Sequence, residues 1–161
     1  MASEPRPFLG LAAGIAAGLI ASAAMAAFQS QAQKLLPDEG GDEDPATLKA
    51  ADAASEAVIG DPVPEPFRDQ AGTAVHYVVG GVLGGIYGVL AEYRPEARSG
   101  FGSAYGIATA ALLDEAAVPA AGFAPAPADT PAATHAYGAA SHLVYGWVLE
   151  GVRWLIAGRR G

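Results

Sequence analysis

Three ionisable side chains, His76, Asp114 and His142, interrupt three separate apolar stretches of the chain. A histidine near neutral pH can pass a proton, ligate a metal or hold a haem iron, and a neighbouring carboxylate can fix which ring nitrogen carries the hydrogen. A second set, Glu92, Glu150 and Arg153, stands at the ends of two of those stretches. Glu150 and Arg153 are three apart and share a helical face, so an ion pair is expected in which Arg153 neutralises Glu150 or Glu92.

The motifs of common catalysts are missing. There is no cysteine, no Ser-His-Asp signature, no phosphate-binding loop and no His-Glu-x-x-His pair. The expectation is a protein that is not an enzyme. No basic patch interleaves with aromatics, which leaves nucleic-acid binding without support.

The elements that must position these residues are apolar helices. Mean hydropathy is +0.25 over 161 residues although one long segment is strongly polar. Ten of the seventeen acids lie between Asp38 and Asp69, so the net charge of −8 is concentrated in that segment. Phe8 to Phe28 carries no charge and would be about 31 Å long as a helix, enough to cross a bilayer. Its Ala21-Ser22-Ala23 resembles a signal-cleavage site, but the run is long for a signal peptide and more spans follow. Further spans are read at about 71–91, 99–118 and 134–155. The third is the least regular, because Asp114-Glu115 sits inside it before Pro119.

The sequence therefore predicts an all-α, four-helix transmembrane bundle forming a single integral membrane domain over 1–161, with a polar acidic loop at 29–70. Within that loop Asp44-Pro45 reads as an N-cap followed by a proline at the first helical position. Leu48, Ala51, Ala54 and Val58 recur at helical spacing up to Gly60, giving a short surface helix.

Arginine placement sets the orientation. Arg6, Arg94, Arg98, Arg159 and Arg160 all fall on the cytoplasmic side if both termini are inside, and the acidic loop then faces out. At about 1.5 Å per residue, His76 and Asp114 lie about 6 Å and His142 about 12 Å inside the outer boundary. Glu115 points about 100° away from Asp114 on a regular helix and reads as interfacial. His76 and His142 are expected to face each other with Asp114 within reach of at least one, Asp114 fixing one tautomer while Ser141, Tyr77 or Tyr145 serves another ring nitrogen.

Gly10, Gly14 and Gly18 repeat every four residues, as do Gly80, Gly84 and Gly88. Each row lets another helix backbone come close, either inside the bundle or in a homo-oligomer.

The order of these residues resembles the YagU family of small bacterial inner-membrane proteins, a domain family of unknown function. The likeness runs from Gly10-Leu11-Ala12-Ala13 through His76, Tyr87, Ala91-Glu92 and Pro95 to Pro119, Gly122, Asp129 and Pro131. It closes on His142-Leu143-Val144, Glu150 and Arg153, spanning about Phe8 to Arg160. Asp114 stands where some relatives have a histidine, which weakens a fixed metal-ligand set. The resemblance implies a multi-spanning inner-membrane protein and no mechanism.

Three functional readings stay open. One is a structural or interacting membrane protein of envelope physiology, with the lipid bilayer as partner and no cofactor. Another is a small proton, ion or ligand-binding bundle using His76, Asp114 and His142. The last is a haem- or metal-binding protein held by His76 and His142.

Overall fold

The computed structural model describes residues 4–35 and 44–158. The acids from Asp38 to Glu43 and the Arg159-Arg160 pair lie outside these described residues. Every regular element among them is helical: α1 (Pro7–Ala32), α2 (Ala46–Ile59), α3 (Arg68–Tyr93), α4 (Ser103–Leu112), α5 (Val118–Ala120) and α6 (Ala132–Ala157). Leu113–Ala117 between α4 and α5 is a π-helical turn.

Glycine and alanine decide how α1 meets its neighbours. Its buried face is Gly10, Ala13, Gly14, Ala17, Gly18 and Ala21, continued by Ser22 and Met25. These positions fall three and four apart, so they form one stripe down the helix. Gly10, Gly14 and Gly18 lie directly on Gly88, Gly84 and Gly80 of α3, and a Cβ at any of them would overlap an opposing carbonyl. The two glycine rows are thus mated to each other inside one chain, antiparallel, with the backbones as close as they can come. The same device joins α4 to α6, where Gly102 meets Gly146 and Gly106 meets the carbonyl of His142. Three consecutive residues with positive φ, Gly100, Phe101 and Gly102, make the turn that lays α4 on α6.

Helix α1 packs against both α3 and α6, and α4 packs against α6. Side chains rather than backbones bridge the remaining side. Tyr105 of α4 donates to the Leu83 carbonyl of α3 at 2.7 Å, and its ring lies 4.7 Å from that of Tyr87. Tyr145 of α6 donates to the Gly80 carbonyl at 2.7 Å. The result is four helices around a centre of Ala17, Ala21 and Leu149, tight on three sides and propped open by tyrosines on the fourth.

Large apolar side chains point the other way. Leu11, Ile15 and Leu19 of α1 and Val78, Val82 and Ile86 of α3 are 40–63% exposed, while the interior holds Ala17, Ala21 and Leu149 at 0%. Ile107 and Leu112 of α4 and Leu155 and Ile156 of α6 are also exposed.

Two expectations need correction. Asp44 does not cap α2, which begins at Ala46 after Pro45; its carboxylate instead pairs with Arg68. Only Leu48 and Ala51 of the α2 stripe are buried, against α3 near Gly72, while Val58 is exposed. The third apolar stretch starts as helix at Ser103 and reaches only Leu112 before its winding changes. Among the described residues, two helical stretches are long and apolar enough to cross a membrane, Pro7–Ala32 and Glu65–Tyr93.

Candidate functional site

The helix pairings put His76, Asp114 and His142 around one space. A cavity of about 370 Å³ opens at the end of the bundle covered by α2, and all three side chains line it. Most of the rest of its wall is apolar, including Val79, Leu83, Leu113 and Phe123, and the start of α2 contributes Ala46, Thr47 and Ala50.

The π-helical turn accounts for the placement of the acids. A π turn adds a residue to one turn of helix and shifts the facing of the side chains that follow, a feature common at functional sites. Here Asp114 and Glu115 both reach α6. Asp114 Oδ2 lies 3.2 Å from His142 Nδ1, and Glu115 Oε1 lies 2.6 Å from His135 Nδ1. His135 and His142 are seven apart, two turns along one face. Glu115 is therefore not a free interfacial acid but the partner of a histidine, and His135 also contacts the Pro127 carbonyl at 3.1 Å.

Small residues make room for this contact. A Cβ at Gly138 would come within 2.9 Å of Asp114 Oδ2, so a glycine one turn before His142 leaves the carboxylate its path. Gly138 also supplies its carbonyl to His142 Nδ1 at 3.1 Å. Its position four residues before His142 was visible in the sequence, but nothing there showed which helix would face it.

Asp114 reaches His142 as expected, but the other partners of the imidazoles differ from those expected. His76 Nε2 lies 3.2 Å from the Ser22 carbonyl of α1, and Tyr77 meets the His76 ring edge-on at 5.7 Å rather than through its hydroxyl. Tyr145 serves the Gly80 carbonyl. Ser141 is fully buried, with no partner for its hydroxyl among the described residues. Backbone carbonyls take the places assigned to side chains.

At the opposite end lies the second cluster. Arg153 is 1% exposed and engages Glu150 at two points, Nε to Oε2 at 2.6 Å and Nη2 to Oε1 at 2.9 Å. Tyr87 donates to the same carboxylate at 2.7 Å. Glu92 of α3, also buried, accepts the backbone N–H of Arg6 at 2.6 Å. The Arg6 guanidinium donates to the Ala157 carbonyl at 2.7 Å, which ties the start of α1 to the end of α6. A buried two-point ion pair held between helices orients them and closes this end of the bundle.

The three ionisable groups of the chamber share its wall, and Asp114 meets His142 there. Among the described residues no three His, Cys, Asp or Glu side chains are gathered closely enough to share a metal ion.

Residues 66–151 match the family described as "Protein of unknown function (DUF1440)". That match takes in α3 to most of α6 and leaves α1 and α2 outside, a shorter stretch than the likeness noted from Phe8 to Arg160. No curated protein and no solved structure matches the chain.

Proposed function

The chain belongs to the DUF1440 family of proteins of unknown function, and from that premise we propose that it is a multi-pass membrane protein whose four-helix bundle holds a ligand chamber. We take the YagU-type inner-membrane proteins it resembles to be the same family. The observation that carries the reading is the inverted distribution of side chains. Glycine and alanine fill the helix contacts, while leucine, isoleucine and valine face outward on α1, α3, α4 and α6. In water that surface would be a large exposed apolar area, which marks a partner or a membrane. In a bilayer it is the ordinary arrangement, because lipid solvates large side chains and small ones let helices approach.

Exposed Phe8, Tyr93, Phe101 and Trp154 gather at the Arg6 end, as aromatic residues do at a membrane interface. The basic residues at that end favour the cytoplasm. The chamber then opens toward the outside of a bacterial inner membrane. His76, Asp114 and His142 are the groups by which it would hold a ligand, and ionisable side chains at that depth are functional candidates by their cost. A haem or metal reading rests on His76 and His142 alone, and the visible spectrum of the purified protein, with metal analysis, tests it.

The chamber itself is tested with introduced cysteines, since the chain has none. Ala117→Cys would stand on the chamber wall and Leu149→Cys in the packed core. A small maleimide applied to the protein in nanodiscs should modify the first much faster than the second. Equal, slow modification of both would show that no accessible chamber exists.

A further inference from the structure

We propose that the chamber selects an organic cation, a protonated amine carried on a compact apolar body. The proposal rests on the chamber reading above and adds the class of ligand. It follows from where four of the polar side chains on the wall send their hydrogens; Gln29 and Thr47, at the α2 end, add to its polar lining.

A carbonyl oxygen can only accept. His76 Nε2, 3.2 Å from the Ser22 carbonyl, must therefore carry the ring hydrogen, and the neutral ring keeps Nδ1 as an acceptor. His142 Nδ1 stands between the Gly138 carbonyl at 3.1 Å and an Asp114 oxygen at 3.2 Å, both acceptors. Its hydrogen sits on Nδ1, and in the neutral ring Nε2 keeps the lone pair. The hydroxyl of Tyr145 is committed to the Gly80 carbonyl, and that of Thr109 to the Tyr105 carbonyl at 2.9 Å.

Four polar side chains thus direct their hydrogens into the protein and keep lone pairs, on the wall that also carries the Asp114 carboxylate. Ser22, whose buried hydroxyl has no partner among the described residues, can serve a ligand as donor or acceptor. Among the described residues no lysine or arginine lines the chamber. With His142 neutral, an anionic ligand would meet the Asp114 carboxylate with no cation beside it, and an uncharged hydrocarbon would leave the acceptors unmatched. An ammonium group brings three donors and a positive charge, and the apolar remainder of the wall suits a hydrocarbon body.

The test uses the Ala117→Cys protein in nanodiscs at mildly alkaline pH, where imidazole is neutral and an alkylamine is still protonated. Three probes share one apolar body: cyclohexylammonium, cyclohexanol and cyclohexanecarboxylate. Each is scored by the concentration that halves the rate of maleimide modification at position 117. Cyclohexylammonium should protect at a concentration at least about tenfold below cyclohexanol, with the carboxylate weakest. Adding Asp114→Asn should remove that preference while leaving protection by cyclohexanol unchanged, which also reports that the chamber is intact. Equal protection by all three probes, or none by any while the maleimide still reaches position 117, would overturn the cation proposal and leave the chamber standing. Failure of the maleimide to reach position 117 would overturn both.

Discussion

Glu150 and Arg153 form a two-point ion pair one turn apart on α6, with both side chains almost wholly enclosed. The Tyr87 hydroxyl reaches the same carboxylate from α3, so the pair is not a decoration of one helix. It joins the helices at the level where Arg6, Glu92 and Ala157 also meet. The chamber lies at the far end. The bundle is thus polar at both ends of its interior, with Ala17, Ala21 and Leu149 among the residues packed between.

The pair should behave as a unit. Arg153→Met leaves Glu150 buried beside Tyr87 without its counter-charge, and breaking a buried pair in this way costs roughly 3–5 kcal/mol. Replacing Glu150 with Gln alongside Arg153→Met removes the stranded charge and should recover a large part of that loss. Thermal unfolding in detergent measures both. A double variant no more stable than Arg153→Met would refute the pairing.

The glycine contacts make a second, sharper demand. Gly14→Ala places a methyl group against the Gly84 carbonyl, and the two helices must separate to admit it. Overpacking of this kind costs ~1–3 kcal/mol. Gly151→Ala is the internal control, because the nearest atom to a new Cβ there is a Phe101 ring carbon at an ordinary 3.7 Å. Detergent stability should fall for Gly14→Ala and stay level for Gly151→Ala. Equal effects would mean that loss of helical glycine, rather than contact, is being measured.

Much of the helical framework was legible because it is written in apolar runs and in small residues four apart. The ends of α1, α3 and α6 fall within a few residues of the apolar stretches, since polar residues and prolines bound them. The third stretch was harder. Apolar periodicity shows where a helix runs but not where its winding changes, so the π turn at Leu113–Ala117 and the reach of Glu115 to His135 were invisible. Tyrosine roles were hidden for another reason. A backbone carbonyl has no letter in the sequence, and Tyr105 and Tyr145 both donate to one. Arg6 to Ala157 is a contact of the same kind, made across nearly the whole chain.

The mouth of the chamber should respond to Arg68. Its guanidinium bridges Asp44, just ahead of α2, and Asp52 within it, and Asp52 also accepts the Val63 backbone N–H at 3.0 Å. These contacts hold the first turn of α2 over the opening. Partly exposed pairs contribute only about 0.2–1 kcal/mol each, so Arg68→Ala should loosen α2 without unfolding the bundle. Modification of Ala117→Cys should then speed up several-fold while unfolding temperature hardly moves. An unchanged rate would show that α2 does not limit entry.

The number of crossings is the prediction on which the rest depends. Arg6 touches Ala157 and Glu92, so the start of α1 and the ends of α3 and α6 share one level. Because α1 begins and α6 ends at that level, the start of α1 and the end of α6 should share one side whether two helices cross or four. A reporter after Gly161 and one after Asp44 should therefore occupy opposite compartments, the second outside, but this pair does not distinguish the two counts. Position 125 does. The contacts Gly102 to Gly146, Gly106 to His142 and Asp114 to Gly138 run α4 antiparallel to α6 along its length and carry the chain back to the α2 end. If α4 and α6 cross the bilayer, a reporter after Pro125 shares the outside with the one after Asp44. If only α1 and α3 cross, it shares the inside with the one after Gly161. The outward-facing Ile107, Leu112, Leu155 and Ile156 favour the first outcome, because in the second they would meet water. An inside signal at position 125 would remove the four-span bundle and with it the outward-opening chamber.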